Sequence, residues 1–125
     1  MENTVAKSFK DLRVWQEGHK LVVDIYKITK SFPRDEIFGI TNQIRRAAVS
    51  ITSNISEGFN RSSPKEKLQF YSISLGSLAE LQSQIMVARD VGYLNSELFD
   101  KIEAQIILVQ KLLNALVRKI RLVSA

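Results

Sequence analysis

Apolar residues return every three or four positions along four stretches of the chain, and prolines, glycines or short polar runs separate those stretches. This is the period of amphipathic helices; no segment alternates as a strand would. The first helix is expected from about Leu12 to Ser31. It carries two adjoining apolar lines: Leu12, Trp15, Val22 and Tyr26, and Val14, Leu21, Ile25, Ile28 and Phe32. Together they cover roughly half the circumference, more than a single helix–helix seam requires. Either this is a deep core helix, or one line packs inside the domain and the other against a second subunit. Ser8 or Asp11 is its expected cap, and Pro33 ends it. In the connection Pro33–Gly39, Ile37 and Phe38 are expected to dip into the core.

The second helix is expected from about Thr41, as N-cap, to Gly58, as C-cap. Ile40, Ile44, Ala47, Ala48, Ile51 and Ile55 form its apolar face. It also holds Ser50, Thr52, Ser53, Asn54 and Ser56, which compete with the helix for backbone hydrogen bonds, so packing must hold it helical. Ser63-Pro64-Lys65-Glu66 reads as a capping box with proline at the first helical position. The third helix follows from about Pro64 to Asp90. Leu68, Tyr71, Leu75, Leu78 and Met86 form its main line, and Gly76 is expected to permit close helix approach. Gly92 stops it, and Asn95 caps a fourth helix from about Ser96 to Arg121. That helix keeps a heptad-like stripe from Leu98 to Ile120, with Ile107 off the stripe. Four such helices with short connections predict an all-α, antiparallel up-down-up-down four-helix bundle over residues 9–125, preceded by a loose tail over residues 1–8.

Composition narrows the chemistry. The 125 residues suit one domain, and 45% hydrophobic with 25% charged residues is ordinary for a soluble protein. Without cysteine there are no disulfides and no thiolate metal sites. No signal-peptide core and no membrane-length apolar run is visible, so a cytoplasmic protein without a membrane partner is expected. The single histidine, His19, is expected on the inner side of the first helix beside Trp15, as a structural residue. No nucleophilic dyad, Glu-x-x-His pair, P-loop or Gly-x-Gly-x-x-Gly accompanies it. The expectation is a non-enzyme with no cofactor and no metal.

Two polar groupings stand out. Gln43, Arg46, Ser50, Asn54 and Glu57 fall within a sector of roughly 80° on the second helix. With Ser77 and Glu80 of the third helix they read as a structural hydrogen-bond network setting helix register, with Arg46 to Glu57 or Glu80 as its strongest element. The competing readings are a solvated face and a ligand surface. The second grouping is basic, in a chain of formal charge +5. Lys7, Lys10 and Arg13 lie before and at the first helix, Arg61, Lys65 and Lys67 around the second loop, and Arg118, Lys119 and Arg121 at the end of the fourth helix. An up-down bundle brings these to one end. Lys10, Arg13, Arg61, Lys65, Lys67, Arg118, Lys119 and Arg121 are the candidate nucleic-acid contacts, and a ring of subunits would multiply their field.

Phe9-Lys-Asp-Leu-Arg-Val-Trp15, Phe32-Pro33 with Glu36, Gln43-Ile-Arg-Arg-Ala-Ala-Val-Ser50, Ser53-Asn-Ile-Ser-Glu-Gly58, Arg61 and Gly76-Ser-Leu-Ala-Glu80 occur in a familiar order. Across roughly residues 9–121 the chain resembles the four-helix-bundle proteins encoded in intervening sequences of bacterial 23S ribosomal RNA genes. It is also similar in fold to the accessory proteins of diversity-generating retroelements. The resemblance implies a bacterial cytoplasmic bundle and a ring-like homo-oligomer, a pentamer. The retroelement proteins are basic pentameric barrels that contact nucleic acid and a reverse transcriptase. The family carries no settled molecular function and no catalytic residues. Binding of RNA or DNA at the basic end is therefore the leading expectation, and a structural adaptor for a protein partner the competing one.

Overall fold

The structure, a computed structural model, describes residues 5–124. A 3-10 turn, Phe9–Asp11, leads into α1 (Arg13–Thr29); a second 3-10 turn, Arg34–Glu36, leads into α2 (Ile40–Asn60), and α3 (Pro64–Asp90) and α4 (Ser96–Ser124) complete the domain. The tail expected over residues 1–8 lies in its first four residues outside the described residues. Its end is ordered: Ser8 and Asp11 form a reciprocal capping box on the first turn, with the Lys7 and Ser8 N–H groups donating to Asp11 Oδ2 at 2.9 and 3.2 Å. The capping box expected at Ser63 is half made among the described residues: Glu66 N donates to Ser63 Oγ at 3.2 Å, and the Glu66 carboxylate does not reach back to Ser63 N.

Each helix packs against its neighbours in sequence, α4 closes back on α1, and no close approach joins α1 to α3 or α2 to α4. The contacts of each pair run in opposite senses along the two helices. Ser50 meets Ser77 while Phe59, further on, meets Lys67, and Arg45 meets Thr29 while Thr52 meets Gly18. Gln82 meets Glu103 while Arg89 meets Phe99 across α3 and α4, and Gln105 meets Asp24 while Lys119 shares a cleft with Arg13 across α4 and α1. The result is a four-helix bundle whose consecutive helices run antiparallel. Its axis is filled by fully buried Leu21, Ile25, Ile44, Ile51, Ile55, Leu78, Leu81, Ile85, Ile102, Ile106 and Leu113, as interdigitated apolar stripes require.

The α2–α3 pair is the most intimate in the bundle, because small residues line it. Ser74 is fully buried and its hydroxyl donates to the Ile51 carbonyl at 2.8 Å. Gly58 is buried in mid-turn, not at the helix end: α2 continues to Asn60, and a Cβ at Gly58 would lie 2.5 Å from the Tyr71 ring. Gly76, by contrast, faces open space, with nothing within 4 Å of a Cβ built there. The close approach expected of Gly76 is supplied by Ser74, Ser77 and Gly58. Gly92 stops α3 as expected, at φ 91°.

Several side chains depart from their expected places. Ile37 and Phe38 are exposed, Phe38 to 94%, because the turn carrying them folds outward and Phe32 covers the bundle end instead. Thr41 does not cap α2; it is the second residue of the helix and is buried. Met86 lies on the outer face of α3. Of the two lines on α1, Val14, Leu21, Ile25 and Phe32 enter the core, whereas Trp15 and Val22 are half-buried and Tyr26 is exposed. His19 shares that outer line: it is exposed and stacks on Trp15, ring centroids 4.8 Å apart. Ile107 is partly exposed, as expected of a residue off the stripe.

Candidate nucleic-acid interface

The antiparallel path brings the start of α1, the α2–α3 loop and the end of α4 to one end of the bundle. There a cleft of about 630 Å³ lies between them, with Arg13, Lys67 and Lys119 on its wall and Phe59, Tyr71 and Leu116 among its apolar lining. Asp11 is the acidic residue of that wall, and its carboxylate accepts two backbone N–H groups. Burial pushes the Tyr71 phenol up to about 12, since an anion there would lose its water.

The eight candidate cations do not play equal parts. Lys67 reaches back to the end of α2, its Nζ donating to the Phe59 and Gly58 carbonyls at 2.8 and 3.3 Å. These carbonyls belong to the last turn, whose oxygens lack the usual intrahelical partners, and Gly58 O also accepts from Arg61 N at 3.3 Å, so Lys67 completes the cap of α2. Desolvation holds its ammonium below the ordinary lysine value. Arg61 pairs with Glu57 at 2.8 Å and lies 4.8 Å from the Phe70 ring centre. Lys10 lends its carbonyl to Gln16 Nε2 at 2.8 Å while its side chain stays in solvent. Arg13, Lys65, Arg118, Lys119 and Arg121 are exposed and form no ion pair among the described residues. Lys65 borders a separate groove with Leu68, Ile73 and Ser124. The aromatic residues Phe59, Phe70 and Tyr71 interleave with these cations; the sequence signal for them was their proximity to Arg61 and Lys67.

The polar line on α2 divides in two. Ser50 Oγ and Ser77 Oγ lie 2.7 Å apart, and Asn54 Nδ2 donates to the Ser50 carbonyl at 2.8 Å and to its hydroxyl at 3.1 Å. This half is a cross-helix hydrogen-bond cluster. Gln43, Arg46 and Glu80 instead border an exposed polar cleft of about 520 Å³ beside Ser50. Arg46 makes no ion pair among the described residues, Glu57 is taken by Arg61, and Glu80 accepts from Gln84 at 3.4 Å. The expected Arg46–carboxylate bond is absent because both carboxylates have nearer partners on their own helices. Among the described residues no group of three His, Asp or Glu side chains is placed to hold a metal ion, and no helix is long and apolar enough to cross a membrane.

Comparison with known proteins bears on the whole domain. A protein of unknown function from the S23 ribosomal protein family of Bacteroides thetaiotaomicron, whose crystal structure is known at 1.70 Å, superposes with a TM-score of 0.78. The two are 22% identical over 84% of this chain and 95% of that one, a likeness that shows the fold. No curated protein matches. The model of the family described as 23S rRNA-intervening sequence protein matches residues 10–115, which take in α1, α2, α3 and the larger part of α4. The chain therefore belongs to the 23S rRNA-intervening sequence protein family.

Proposed function

We propose that this protein is a non-enzymatic, cytoplasmic homo-oligomer that binds RNA or DNA through the basic end of its bundle. The observation carrying the reading is the meeting of Arg13 and Lys119, from the first and last helices, on one cleft walled with aromatic and apolar groups. Exposed cations neutralise phosphates, and aromatic walls accept unstacked bases. RNA is the first ligand to test, because the family is described by a ribosomal RNA intervening sequence. A ring, a pentamer as in the related retroelement accessory proteins, would multiply the field of each basic end. The half-buried line of Trp15 and Val22, with exposed Val23, Tyr26 and Val49 beside it, supports self-association. Fluorescence anisotropy with labelled RNA and DNA across a salt series tests the reading. Three to six phosphate contacts predict a log–log salt slope of about 2 to 5 in magnitude; no binding at low salt would overturn it.

A protein-adaptor reading is favoured by one feature. Phe38, 94% exposed beside half-exposed Ile37, stands at the opposite end of the bundle, where an apolar knob suits a protein partner. Partners that survive nuclease treatment and are lost in Phe38→Ser would support that reading.

A further inference from the structure

A second site lies at the end of the bundle away from the basic cleft. Where α1 gives way to α2, a pocket of about 230 Å³ opens between Thr29, Pro33, Arg34 and Thr41. Its wall carries three cations, Lys30, Arg34 and Arg45, and no carboxylate. Neither acid of the turn, Asp35 or Glu36, lines it, and the Glu36 carboxylate is engaged: Oε2 accepts from Tyr93 Oη at 2.8 Å and Oε1 from Ile40 N, the first N–H of α2, at 3.4 Å.

Two of the wall residues are placed as if awaiting a partner. Thr41 is 4% exposed, and its hydroxyl oxygen has no hydrogen-bond partner among the described residues. A buried hydroxyl without a partner is costly and uncommon in native proteins. Arg45 is half-buried, held by a bond from Nε to Thr29 Oγ1 at 2.9 Å and by the Tyr26 ring, 4.8 Å from its guanidinium carbon. Those contacts fix the guanidinium and leave both terminal nitrogens without a partner among the described residues. α2 starts here with its first N–H, that of Ile40, held by Glu36, while the N–H groups of Thr41 and Asn42 have no partner among the described residues. A long helix presents partial positive charge at such an end.

We propose that this pocket binds a phosphate-type oxyanion, held by the Thr41 hydroxyl and the Arg45 guanidinium at the N-terminus of α2. A guanidinium fork matches two oxygens of one phosphate. The hydroxyl and the Thr41 and Asn42 N–H groups supply donors for the others, and Lys30 and Arg34 balance the second charge. The pocket has room for the anion itself, so anything esterified to it would extend into solvent.

The test is an NMR titration of the full, isotope-labelled chain with inorganic phosphate, at constant ionic strength set with chloride. Saturating shifts are expected at the Thr41 and Asn42 amides and at the Arg45 Nε–H. Thr41→Val keeps the shape and removes the donor; Arg45→Lys keeps the charge and removes the fork. Each is expected to weaken binding at least tenfold while the rest of the spectrum is unchanged. Should Thr41→Val not fold, Arg45→Lys decides alone. A parallel titration with a 5′-mononucleotide distinguishes a free ion from a phosphate monoester as the source. No saturation, unchanged affinity in a folded variant, shifts confined to the Arg13–Lys119 end, or equal binding of acetate would overturn the proposal.

Discussion

The ring of Tyr71 lies against the backbone of Gly58, so close that a Cβ at Gly58 would stand 2.5 Å from Cε1 and 2.9 Å from Cδ1. This contact fixes the depth at which α2 and α3 meet, next to the basic cleft that Tyr71 also lines. Substitution of Gly58 by alanine must push the ring, which is fully buried and has nowhere to go. Overpacking costs about 1–3 kcal/mol, and the better helix propensity of alanine offsets about 1 kcal/mol of it. Gly58→Ala is therefore expected to lower stability by up to about 2 kcal/mol in urea denaturation. Gly76→Ala gives the matched control. It faces open space, so the propensity gain acts alone and stability rises by about 0.5–1 kcal/mol. Equal effects at the two glycines would contradict the packing account.

The Ser50–Ser77 bond makes a separate claim about register. At 2.7 Å it joins α2 to α3, and Asn54 orients it from the next turn. A double-mutant cycle of Ser50→Ala and Ser77→Ala should return a coupling of about 0.5–1.5 kcal/mol. Arg46→Ala, whose side chain is exposed, should change stability by less than about 0.5 kcal/mol.

Alkaline pH tests the burial of Tyr71. Its proton is held more tightly in the folded state, at about 12 against 10.0 for the free phenol. Stability from this group is complete below pH 10 and is lost as pH rises towards 12, by an order-of-magnitude 2–3 kcal/mol in all. The phenol of Tyr93 is also raised, first by its hydrogen bond to Glu36, and acts in the same direction. Lys67 is lowered by desolvation and acts oppositely, favouring the fold as pH climbs to its ordinary 10.5. Denaturation at a series of pH values should show the alkaline loss in the parent chain and a shallower one in Tyr71→Phe.

Much of this architecture was legible in the sequence. The period of apolar residues located four helices, and Asn95 and Gly92 act as expected, with Asn95 Oδ1 accepting from Leu98 N at 2.8 Å. What the period could not resolve were residues whose fate depends on a neighbour. Gly58 and Gly76 look alike on a helical wheel, yet one meets an aromatic ring and the other meets nothing. Phe38 is as apolar as Phe32, but the turn between them sends one outward and the other in. Burial is decided there by the path of seven residues, which carries no periodicity. The basic end was legible as a cluster but not as a division of labour. Only the structure separates Lys67, spent on the carbonyls of α2, from Arg13 and Lys119, which remain in solvent.

That division gives the most direct test of nucleic-acid binding. Arg13→Gln/Lys119→Gln removes two exposed charges from the cleft and leaves the core untouched, whereas Lys67→Met removes the cap on α2. RNA affinity of the three proteins should be measured by anisotropy at low and physiological salt, with thermal stability recorded alongside. The account predicts that the Arg13/Lys119 variant keeps its stability, binds at least tenfold more weakly and has a salt slope smaller by about 1 to 2. Lys67→Met should lose about 1 kcal/mol of stability from the broken cap. Unchanged RNA affinity and salt slope in a folded Arg13→Gln/Lys119→Gln protein would contradict the account.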